Sequence, residues 1–313
     1  MINLFNINKH IIDTSKYANL LHDGIVTEFE NSIADYVGAK YAVSFSSATN
    51  AIFLALLNKN TIVTVPSMIP PVVLNAIITS GNKHNFRDDT NWVGDSYILH
   101  DFGDYKIVDS AQKVEKDQFK KECNDNDLMV FSFYPTKPIG SCDGGMIVSN
   151  DLDKITELRE YALNGMTYSS DNWERKIKLP GYKMYMNSIQ AEIALNNFKL
   201  YPKKLEILQE IREKYNTAFG LENTSNHLYR LSVDNREDFM SFFKKNKIYT
   251  GIHYEATHTN PVYKLDNQEN PWNISCPKSE IASKTTVSIP FHEDLLNLSV
   301  EFIIEKYNEY NNS

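Results

Sequence analysis

The sequence has few of the features that mark disulfide-bonded, metal-binding or nucleic-acid-binding proteins. Only three of its 313 residues are cysteine, and Cys123, Cys142 and Cys276 lie far apart. There is no CxxC pair or His/Cys cluster, so neither a disulfide framework nor a zinc site is indicated. The 40 acidic residues outnumber the 32 lysines and arginines, which gives a net charge of −8. This charge argues against nucleic acid as the main partner, because a phosphate backbone binds to a basic surface.

Long apolar segments are also scarce. The N-terminus, MINLFNINKH, lacks the apolar core of a signal peptide. The longest uncharged run, residues 61–81, contains three prolines and Asn75. A buried strand followed by a helix fits this run better than a membrane span does. We therefore expect a cytoplasmic protein with no membrane partner.

The composition is globular, with 42% hydrophobic and 12% aromatic residues. The length exceeds what one hydrophobic core usually serves, and with the patterns below it favours a large domain of residues 1–205 and a small domain of residues 206–313. Short strand-like segments alternate with helical periodicities up to about residue 165, a pattern that predicts an α/β layer with a mostly parallel sheet. The strands predicted for this layer are residues 41–45, 61–65, 97–99, 106–108, 128–133 and 146–148.

The rest of the chain has the pattern of a smaller α+β unit. Two helices are predicted, at residues 188–200 and 202–219. Asn187 stands in capping-box spacing with Gln190 before the first helix, and Pro202 suits the first turn of the second. The elements expected after them are strands at 229–233, 249–253 and 285–289 and helices at 236–246 and 299–310.

Four polar motifs border the predicted elements. Ser-Ser-Ala-Thr at residues 46–49 opens a helix, where free N–H groups and hydroxyls can bind an anion, although an ordinary helix cap is the simpler interpretation. Asp-Ser-Ala-Gln at residues 109–112 places a carboxylate at the end of a strand, where α/β sheets bind ligands. Phe-Ser-Phe-Tyr-Pro-Thr-Lys at residues 131–137, followed by a glycine pair, puts Lys137 in a loop after a buried strand. Gly-Tyr-Lys-Met-Tyr-Met at residues 181–186 by itself indicates only a loop.

In this order and spacing, the motifs resemble those of the DegT/DnrJ/EryC1/StrS family of sugar aminotransferases, and the resemblance covers most of the chain. It implies the pyridoxal-phosphate-dependent transferase fold type I: a mostly parallel mixed sheet with helices on both faces, plus a smaller C-terminal α+β domain. It also implies pyridoxal 5′-phosphate as the cofactor. The expected reaction is transfer of an amino group to a nucleotide-linked keto-sugar, with glutamate as the expected donor.

The resemblance also assigns roles to matching residues of this sequence. Lys137 would form the Schiff base with the cofactor and move the proton during catalysis. Asp109 would pair with the pyridine nitrogen and keep it protonated, and Gln112 would bind the ring hydroxyl. The residues expected at the phosphate are Ser47, Ala48, Thr49 and Ser132. Lys183 falls where family members reach the phosphate of the neighbouring subunit, which implies a homodimer with shared active sites.

The sequence departs from the family pattern in several places. Ala48 stands where the family usually has glycine, and Pro70 where an aromatic ring usually stacks on the cofactor. We expect the N-terminal arm to be truncated before Asp23. The largest departure is at residues 86–109, where family members carry two helices around a strand. The four residues between the last two strands there reach only about 13 Å. We therefore predict a locally rebuilt sheet, with one strand short or displaced and both helices absent.

Three functional hypotheses stay open. An active sugar aminotransferase is favoured because Lys137, Asp109 and Gln112 are present together. A cofactor-dependent sugar dehydratase of the same family is disfavoured, since those enzymes replace the lysine with histidine. A trimmed, weakly active or inactive member that binds the cofactor or a sugar nucleotide, or that serves as a partner subunit, is motivated by the missing helices and aromatic ring. Residues 253–261 resemble a family segment that often approaches the active site.

Overall fold

The computed structural model of the protein describes residues 1–18, 24–168, 175–263, 275–295 and 297–312. The strands are β1 Tyr41–Phe45, β2 Ile62–Pro66, β3 Lys83–Arg87, β4 Tyr97–Asp101, β5 Lys106–Asp109, β6 Leu128–Ser132, β7 Gly145–Ser149, β8 Met166–Tyr168, β9 Arg175–Ile177, β10 Tyr229–Ser232 and β11 Thr286–Ile289. The helices are α1 Gly24–Val37, α2 Ala48–Ala55, α3 Pro71–Thr79, α4 Gln118–Glu122, α5 Leu152–Ala162, α6 Ser188–Phe219, α7 Arg236–Lys245, α8 Pro277–Thr285 and α9 Asn297–Asn311. Over the described ranges, every helix is too short or too polar to cross a bilayer.

Five strands form the central sheet, in the order β1-β7-β6-β5-β4. The predicted α/β fold with a mixed sheet is confirmed. Only β5 and β6 pair in parallel, and the other three neighbouring pairs are antiparallel. Fewer strand pairs are parallel than predicted, because β7 and β4 run antiparallel to their neighbours. β2 and β3 form a separate parallel pair.

Helices cover both faces of the central sheet, as predicted. Every residue of β6 and β7 is buried, which explains their near-continuous apolar sequences. Side chains alternate along β6: Leu128 and Val130 join the apolar cluster containing α2, α3 and α5. Met129 and Phe131 join the cluster containing α1 and the first half of α6 on the other face. The sheet is therefore a rigid support for loops at its edge.

Residues 88–105, here called the rebuilt edge, differ from the rest of the layer. Residues 88–96 contain turns and no helix. A four-residue turn joins β4 to β5, and in it the Phe102 N–H donates to the Tyr105 carbonyl at 2.9 Å. So short a connection forces β4 to run antiparallel to β5. The prediction that the sheet is rebuilt here without its two helices is confirmed. The Arg87 guanidinium spans the seam between β2 and β4, donating to the carbonyls of Thr64 at 2.5 Å and Ile98 at 3.2 Å.

Two predictions for the region after residue 186 were wrong. A single 32-residue helix, α6, replaces the two predicted helices, with Pro202 inside it. Proline removes one backbone donor, but the capping box at Asn187 and the buried side chains of both halves outweigh that loss. The domain boundary at residues 205 and 206 falls within this helix and stays a prediction. Residues 249–253 form no strand, only an isolated bridge from Gly251 to β11.

The elements that the sequence patterns missed are short or polar: β3, β8, β9, α4 and α8. In β3, sequence Lys-His-Asn-Phe-Arg, only Phe86 is buried, so the strand leaves no apolar alternation to detect. The C-terminal part of the chain builds a third apolar cluster from the second half of α6 with β10, β11, α7 and α9. Several of its members are large aromatic side chains. These side chains pack against one face of the β10–β11 ladder.

The N-terminal arm, which we expected to be truncated, crosses the molecule as residues 1–17. Ile2 forms a bridge with Ile248 of the C-terminal region. Phe5 then stacks on His227, with ring centroids 5.6 Å apart. Further along, Lys16 forms an ion pair with Glu192 of α6. The arm therefore ties the C-terminal cluster to the helix that supports the central sheet.

Candidate active site

The carboxyl ends of β5 and β6 bring three of the predicted site residues to one edge of the sheet. Asp109 is the last residue of β5 and Ser132 the last of β6, and both are buried. Because the two strands are parallel, their carboxyl ends meet at the same edge, where α/β sheets bind ligands. Lys137 follows in the loop after β6 and lies close enough to Asp109 for each charge to affect the other's pKa.

The Asp109 carboxylate is held by two hydrogen bonds. It accepts one from the Tyr97 hydroxyl at 2.8 Å and one from the Ala111 N–H at 2.9 Å. Burial raises the pKa of Asp109, while these bonds and the Lys137 charge partly offset that rise. The carboxylate therefore favours a cationic partner, because a positive charge beside it would relieve the cost of keeping it ionised.

Lys137 lies in a turn in which its N–H donates to the Tyr134 carbonyl at 2.9 Å. In the part of the chain that the structure describes, no hydrogen bond or ion pair is made by its Nζ. Burial lowers the pKa of Lys137 to about 8, and the nearby Asp109 charge acts in the opposite direction. The amine is therefore partly neutral near pH 8, and the neutral amine is the form that attacks a carbonyl carbon.

The loop between β1 and α2 forms a candidate anion site. Ser47 caps the helix, its Oγ accepting from the Asn50 N–H at 3.2 Å. The N–H groups of Ala48 and Thr49 in the first turn have no partner among the described residues, as expected at a helix N-terminus. Ala48 is helical, so an alanine in place of the family glycine causes no strain there. Gly145 of β7 backs the loop so closely that a Cβ would lie 2.4 Å from the Ala48 nitrogen.

Gln112, three residues after Asp109, is buried. Its Oε1 accepts from the Gly94 N–H at 2.8 Å, and its Nε2 donates to the Tyr254 hydroxyl at 3.0 Å. A primary amide has two donor hydrogens, so one N–H of Gln112 stays free for a ligand. The bond to Gly94 also fixes the side chain to the rebuilt edge.

Lys183 is not part of the pocket of its own chain. Its side chain is exposed, next to Met184, whose carbonyl accepts from the Ser46 N–H at 2.7 Å. Lys183 therefore lies on a surface strip beside the candidate anion site. Its role toward a neighbouring subunit stays a prediction.

Three aromatic side chains without a predicted role, Trp92, Tyr97 and Tyr254, cluster beside Asp109 and Gln112. Tyr97 contacts Asp109, Tyr254 contacts Gln112, and Trp92 packs on both rings. The Trp92 ring lies 4.6 Å from Tyr97 and 6.0 Å from Tyr254, and its plane is 7° from that of Tyr254. Trp92 and Tyr97 come from the rebuilt edge, where the sequence offers no motif to mark them. Tyr254 lies in the stretch whose family resemblance predicted an approach to the active site.

A second group of side chains faces the site from the C-terminal region. His253 accepts from or donates to the Ser288 hydroxyl at 2.8 Å, and Ser288 pairs with Arg230 across the β10–β11 ladder. Burial lowers the pKa of His253 to about 4, and the Lys137 charge adds to that effect. Burial, and after it the Lys137 charge, also lower the pKa of His227 well below the usual range of a histidine. His227 and Arg230 were missed, because neither stands in a motif that marks it.

The chain is similar to known proteins over most of its length. The model of the DegT/DnrJ/EryC1/StrS aminotransferase family matches residues 6–91 and 103–308. The spore coat polysaccharide biosynthesis protein SpsC of Bacillus subtilis is 27% identical, with 90% of this chain and 88% of that protein covered. A UDP-4-amino-4,6-dideoxy-N-acetyl-beta-L-altrosamine transaminase of Campylobacter jejuni is 25% identical, with 95% and 94% covered.

Solved structures share the fold. The aminotransferase TlmJ of Streptoalloteichus hindustanus superposes with a TM-score of 0.81 at 21% identity, covering 99% of this chain and 98% of that one. PseC of Helicobacter pylori, an aminotransferase involved in pseudaminic acid biosynthesis, has a TM-score of 0.76 at 20% identity, with 97% and 98% covered. These similarities confirm fold type I. The unmatched residues 92–102 lie within the rebuilt edge.

Proposed function

Because the chain belongs to the DegT/DnrJ/EryC1/StrS aminotransferase family, we propose that it transfers an amino group from glutamate to a nucleotide-linked keto-sugar, with Lys137 binding the cofactor covalently. The protein is a sugar aminotransferase, and its cofactor is pyridoxal 5′-phosphate. The observation that carries the proposal is that the half-buried Lys137, in the loop after β6, lies within electrostatic range of the buried Asp109 at the carboxyl end of the parallel strand β5. The relative that acts on a UDP-linked amino sugar supports the choice of substrate class.

The site residues fit each functional group of pyridoxal phosphate. Asp109 can pair with the ring nitrogen, and the free N–H of Gln112 can bind the ring hydroxyl. Lys137, whose Nζ has no other partner in the described ranges, can bind the aldehyde carbon. The unpartnered amides after Ser47, with the Thr49 and Ser132 hydroxyls, can bind the phosphate. When bound, the cofactor supplies an electron sink for the charge that develops on the substrate carbon.

The protein's own contribution is to place two ionisable groups with opposite tasks. Tyr97 and Ala111 hold the Asp109 carboxylate in place, so that it would stabilise a positive charge on the ring nitrogen of a bound cofactor. Lys137 acts as nucleophile and proton carrier. A pKa of about 8 suits both tasks, because a general acid–base group works best near the operating pH.

We also propose a homodimer in which Lys183 of each subunit reaches the phosphate site of the other. The supporting observation is the exposure of Lys183 on the strip beside its own anion site. The alternative function is that of a trimmed, weakly active or inactive family member that binds cofactor or sugar nucleotide or serves as a partner subunit. It is favoured by one observation: Tyr254 already bonds to Gln112 inside the site.

Cofactor attachment provides the decisive experiment. Protein loaded with pyridoxal phosphate should be yellow, and borohydride reduction should fix the cofactor on the peptide that contains Lys137. Lys137→Ala should remove both the colour and the label. Lys244→Ala, which changes an exposed lysine of α7, should retain both. Glutamate should then bleach the wild-type protein. A protein that stays colourless would refute the proposal, and a yellow protein inert to every amino donor would favour the alternative function.

The pH dependence of attachment tests the role of Lys137 separately. Its folded-state pKa of about 8 lies below the ordinary lysine value of 10.5, so the neutral amine appears as the pH rises through 8. The rate of covalent attachment to cofactor-free protein should therefore rise with pH and level off above about 8. A rate still rising steeply between pH 9 and 10 would show that the site does not lower the pKa of this lysine.

A further inference from the structure

One residue of the rebuilt edge, Gly94, contacts both the candidate active site and the C-terminal region. Its N–H donates to Gln112 Oε1 at 2.8 Å, and its carbonyl accepts from the Ser225 hydroxyl at 2.9 Å. Gly94 lies within residues 92–102, which the family model leaves unmatched. The rebuilt edge therefore supplies the contact with Gln112, outside the motifs on which the family resemblance depends.

The Gly94 N–H determines which way the Gln112 amide faces. A backbone N–H can only donate, so it selects the amide oxygen. The Tyr254 hydroxyl, 3.0 Å from Gln112 Nε2, makes no such selection, because a hydroxyl both donates and accepts. A flipped amide would bring two donors together at Gly94 and leave its buried N–H without an acceptor. Of the two contacts, only the one with Gly94 distinguishes the two orientations of the amide.

The orientation of the amide matters for the role proposed for Gln112. With Oε1 bound to Gly94, the N–H of Gln112 that Tyr254 does not use can donate to the ring hydroxyl of the cofactor. A donor at this position stabilises the ionised form of the hydroxyl, and an amide oxygen at the same position would destabilise it. The direction of one amide thus decides how easily the ring hydroxyl gives up its proton.

Gly94 has a backbone conformation that favours glycine. Its φ is +93°, in the left-handed region. A Cβ on this residue would lie 2.7 Å from Ser225 Oγ, so a side chain would push Gly94 and Ser225 apart. The peptide after Gly94 is held at both ends, because its carbonyl accepts from Ser225 and the Asp95 N–H donates to the Trp92 carbonyl at 2.8 Å.

The loop that precedes β10 fixes Ser225 in turn. Ser225 Oγ accepts from the N–H groups of His227 at 3.1 Å and Leu228 at 3.2 Å. Leu228 is buried in the apolar cluster that contains α2, α3 and α5. Because Oγ accepts from two backbone groups, its own hydrogen is left to donate to Gly94. A chain of hydrogen bonds therefore runs from this loop through Ser225 and Gly94 to Gln112.

We propose that Ser225 and Gly94 are positioning residues that hold the Gln112 amide with an N–H toward the ring hydroxyl of the cofactor, an inference that rests on the proposed aminotransferase function. Neither residue contacts the cofactor in this arrangement, and both act through Gln112. The groups that titrate beside the ring, Asp109, Lys137 and Tyr254, keep their identity when Ser225 is changed. A change in the proton affinity of the bound cofactor would therefore report the direction of the Gln112 amide.

The test measures the pH at which protein loaded with pyridoxal phosphate changes colour, because this pH reports how tightly the cofactor holds its proton. Gln112→Leu removes the donor and should raise this pH by about one unit, as expected when an ionised group loses a hydrogen bond. Ser225→Ala should raise it by a smaller amount, since the amide stays but its orientation is no longer fixed. Ser225→Cys, with a weak donor of similar size, should raise it least.

A double variant separates positioning from a general structural role. If Ser225 acts through Gln112, adding Ser225→Ala to Gln112→Leu should raise the pH of the colour change no further than Gln112→Leu alone does. The matched control is Ser279→Ala. Ser279 Oγ also joins the C-terminal region to the residues after β3, by donating to Asp88 at 2.8 Å. Its loss should lower thermal stability, as Ser225→Ala does, and leave the pH of the colour change at the wild-type value.

Three results would overturn the positioning role. The first is a wild-type colour change in Ser225→Ala, or in Ser225→Cys should the alanine variant not fold. The second is a further shift in the double variant, because Ser225 would then act by another route. The third is an unshifted Gln112→Leu, because Gln112 would then not bind the ring hydroxyl.

The two proposals fail in different ways. A wild-type protein that takes up no cofactor and transfers no amino group would refute the aminotransferase proposal. An active, yellow wild-type protein whose colour change moves in Gln112→Leu and stays in place in Ser225→Ala would refute the positioning role alone.

Discussion

The two sides of β5, the strand that ends at Asp109, are built in different ways. On one side, β6 pairs with β5 in parallel, is buried throughout and leads into the loop with Lys137. On the other side, β4 runs antiparallel, contains a register shift between Ile98 and His100 and is partly exposed. Asp109 lies at the end of the strand that both sides share. We call the first side the cofactor edge; the second is the rebuilt edge.

The difference shows that Asp109, Ser132 and Lys137 stay together at the cofactor edge although the other flank has no crossover helices. The rebuilt edge borders the site through three residues. The Tyr97 hydroxyl donates to Asp109, the Gly94 N–H donates to Gln112, and the Trp92 ring packs against Tyr97. Chemistry should therefore depend on the cofactor edge, and changes at the rebuilt edge should act mainly through stability.

The largest expected effect is loss of turnover when the charge of Asp109 is removed. Asp109→Asn keeps the shape but cannot hold a proton on the cofactor ring nitrogen, so turnover should fall about 100- to 1000-fold. The free energy of unfolding at neutral pH should change little, because burial disfavours the ionised form of Asp109, as its raised pKa shows. Steady-state kinetics and urea unfolding would measure the two quantities.

The control for this prediction is Asp95→Asn, which neutralises a carboxylate on the rebuilt edge that pairs with Lys113. Its turnover should stay near that of wild type. Comparable losses of turnover in both variants would contradict the division of tasks between the two edges.

The contrast between the edges also explains what the sequence predicted and what it did not. The cofactor edge could be predicted, since β6 is a continuous apolar run and the motifs around Asp109 and Lys137 are local. The same holds for the capping box that begins α6 at Asn187. Local side-chain patterns determine these features, so a short window of sequence contains them.

The rebuilt edge could be predicted only in part. Counting residues showed that two helices could not fit between residue 86 and Asp109. The short connection excludes a parallel crossover, but it could not show that β4 pairs with β5 at all, or in which register, since that depends on contacts between the two strands. Trp92 and Arg230 were missed for the same reason. Each also contacts a residue more than a hundred positions away: Trp92 stacks on Tyr254, and Arg230 donates to the carbonyl of Thr90.

The second prediction tests whether the rebuilt edge is packed as firmly as a core. Trp92 is buried against Tyr97, so Trp92→Ala should lower the free energy of unfolding by about 3–5 kcal/mol. Ile98→Ala on β4 is the control, because that side chain is 46% exposed and should cost less than about 1 kcal/mol. Chemical denaturation would measure both. A small loss for Trp92→Ala would indicate a loosely packed rebuilt edge and weaken the comparison.

The third prediction concerns the seam between β2 and β4. Arg87→Met keeps a long apolar stem but leaves the carbonyls of Thr64 and Ile98 without their donor. The free energy of unfolding should fall by about 2 kcal/mol, and Arg87→Lys should recover part of that loss. Cofactor affinity, measured by absorbance titration, should stay at the wild-type value. A matching loss of cofactor affinity would show that the seam controls the site as well as the fold.

The smallest expected effect lies where the two edges meet, at the hydrogen bond from Tyr97 to Asp109. Tyr97→Phe removes that bond with little change of shape, and it should cost about 1 kcal/mol of unfolding free energy at neutral pH. The bond favours the ionised carboxylate, so its loss should raise the pKa of Asp109 further above its usual value. A carboxyl group with a raised folded-state pKa destabilises the fold once the pH exceeds the unfolded-state value. The difference in unfolding free energy between Tyr97→Phe and wild type should therefore narrow as the pH falls and Asp109 becomes protonated.

Urea unfolding at several pH values would measure this difference, with Tyr105→Phe as the control, since its hydroxyl makes no hydrogen bond to Asp109. A difference that is independent of pH would mean that Tyr97 contributes packing alone, and that the rebuilt edge has no electrostatic effect on the Asp109 carboxylate.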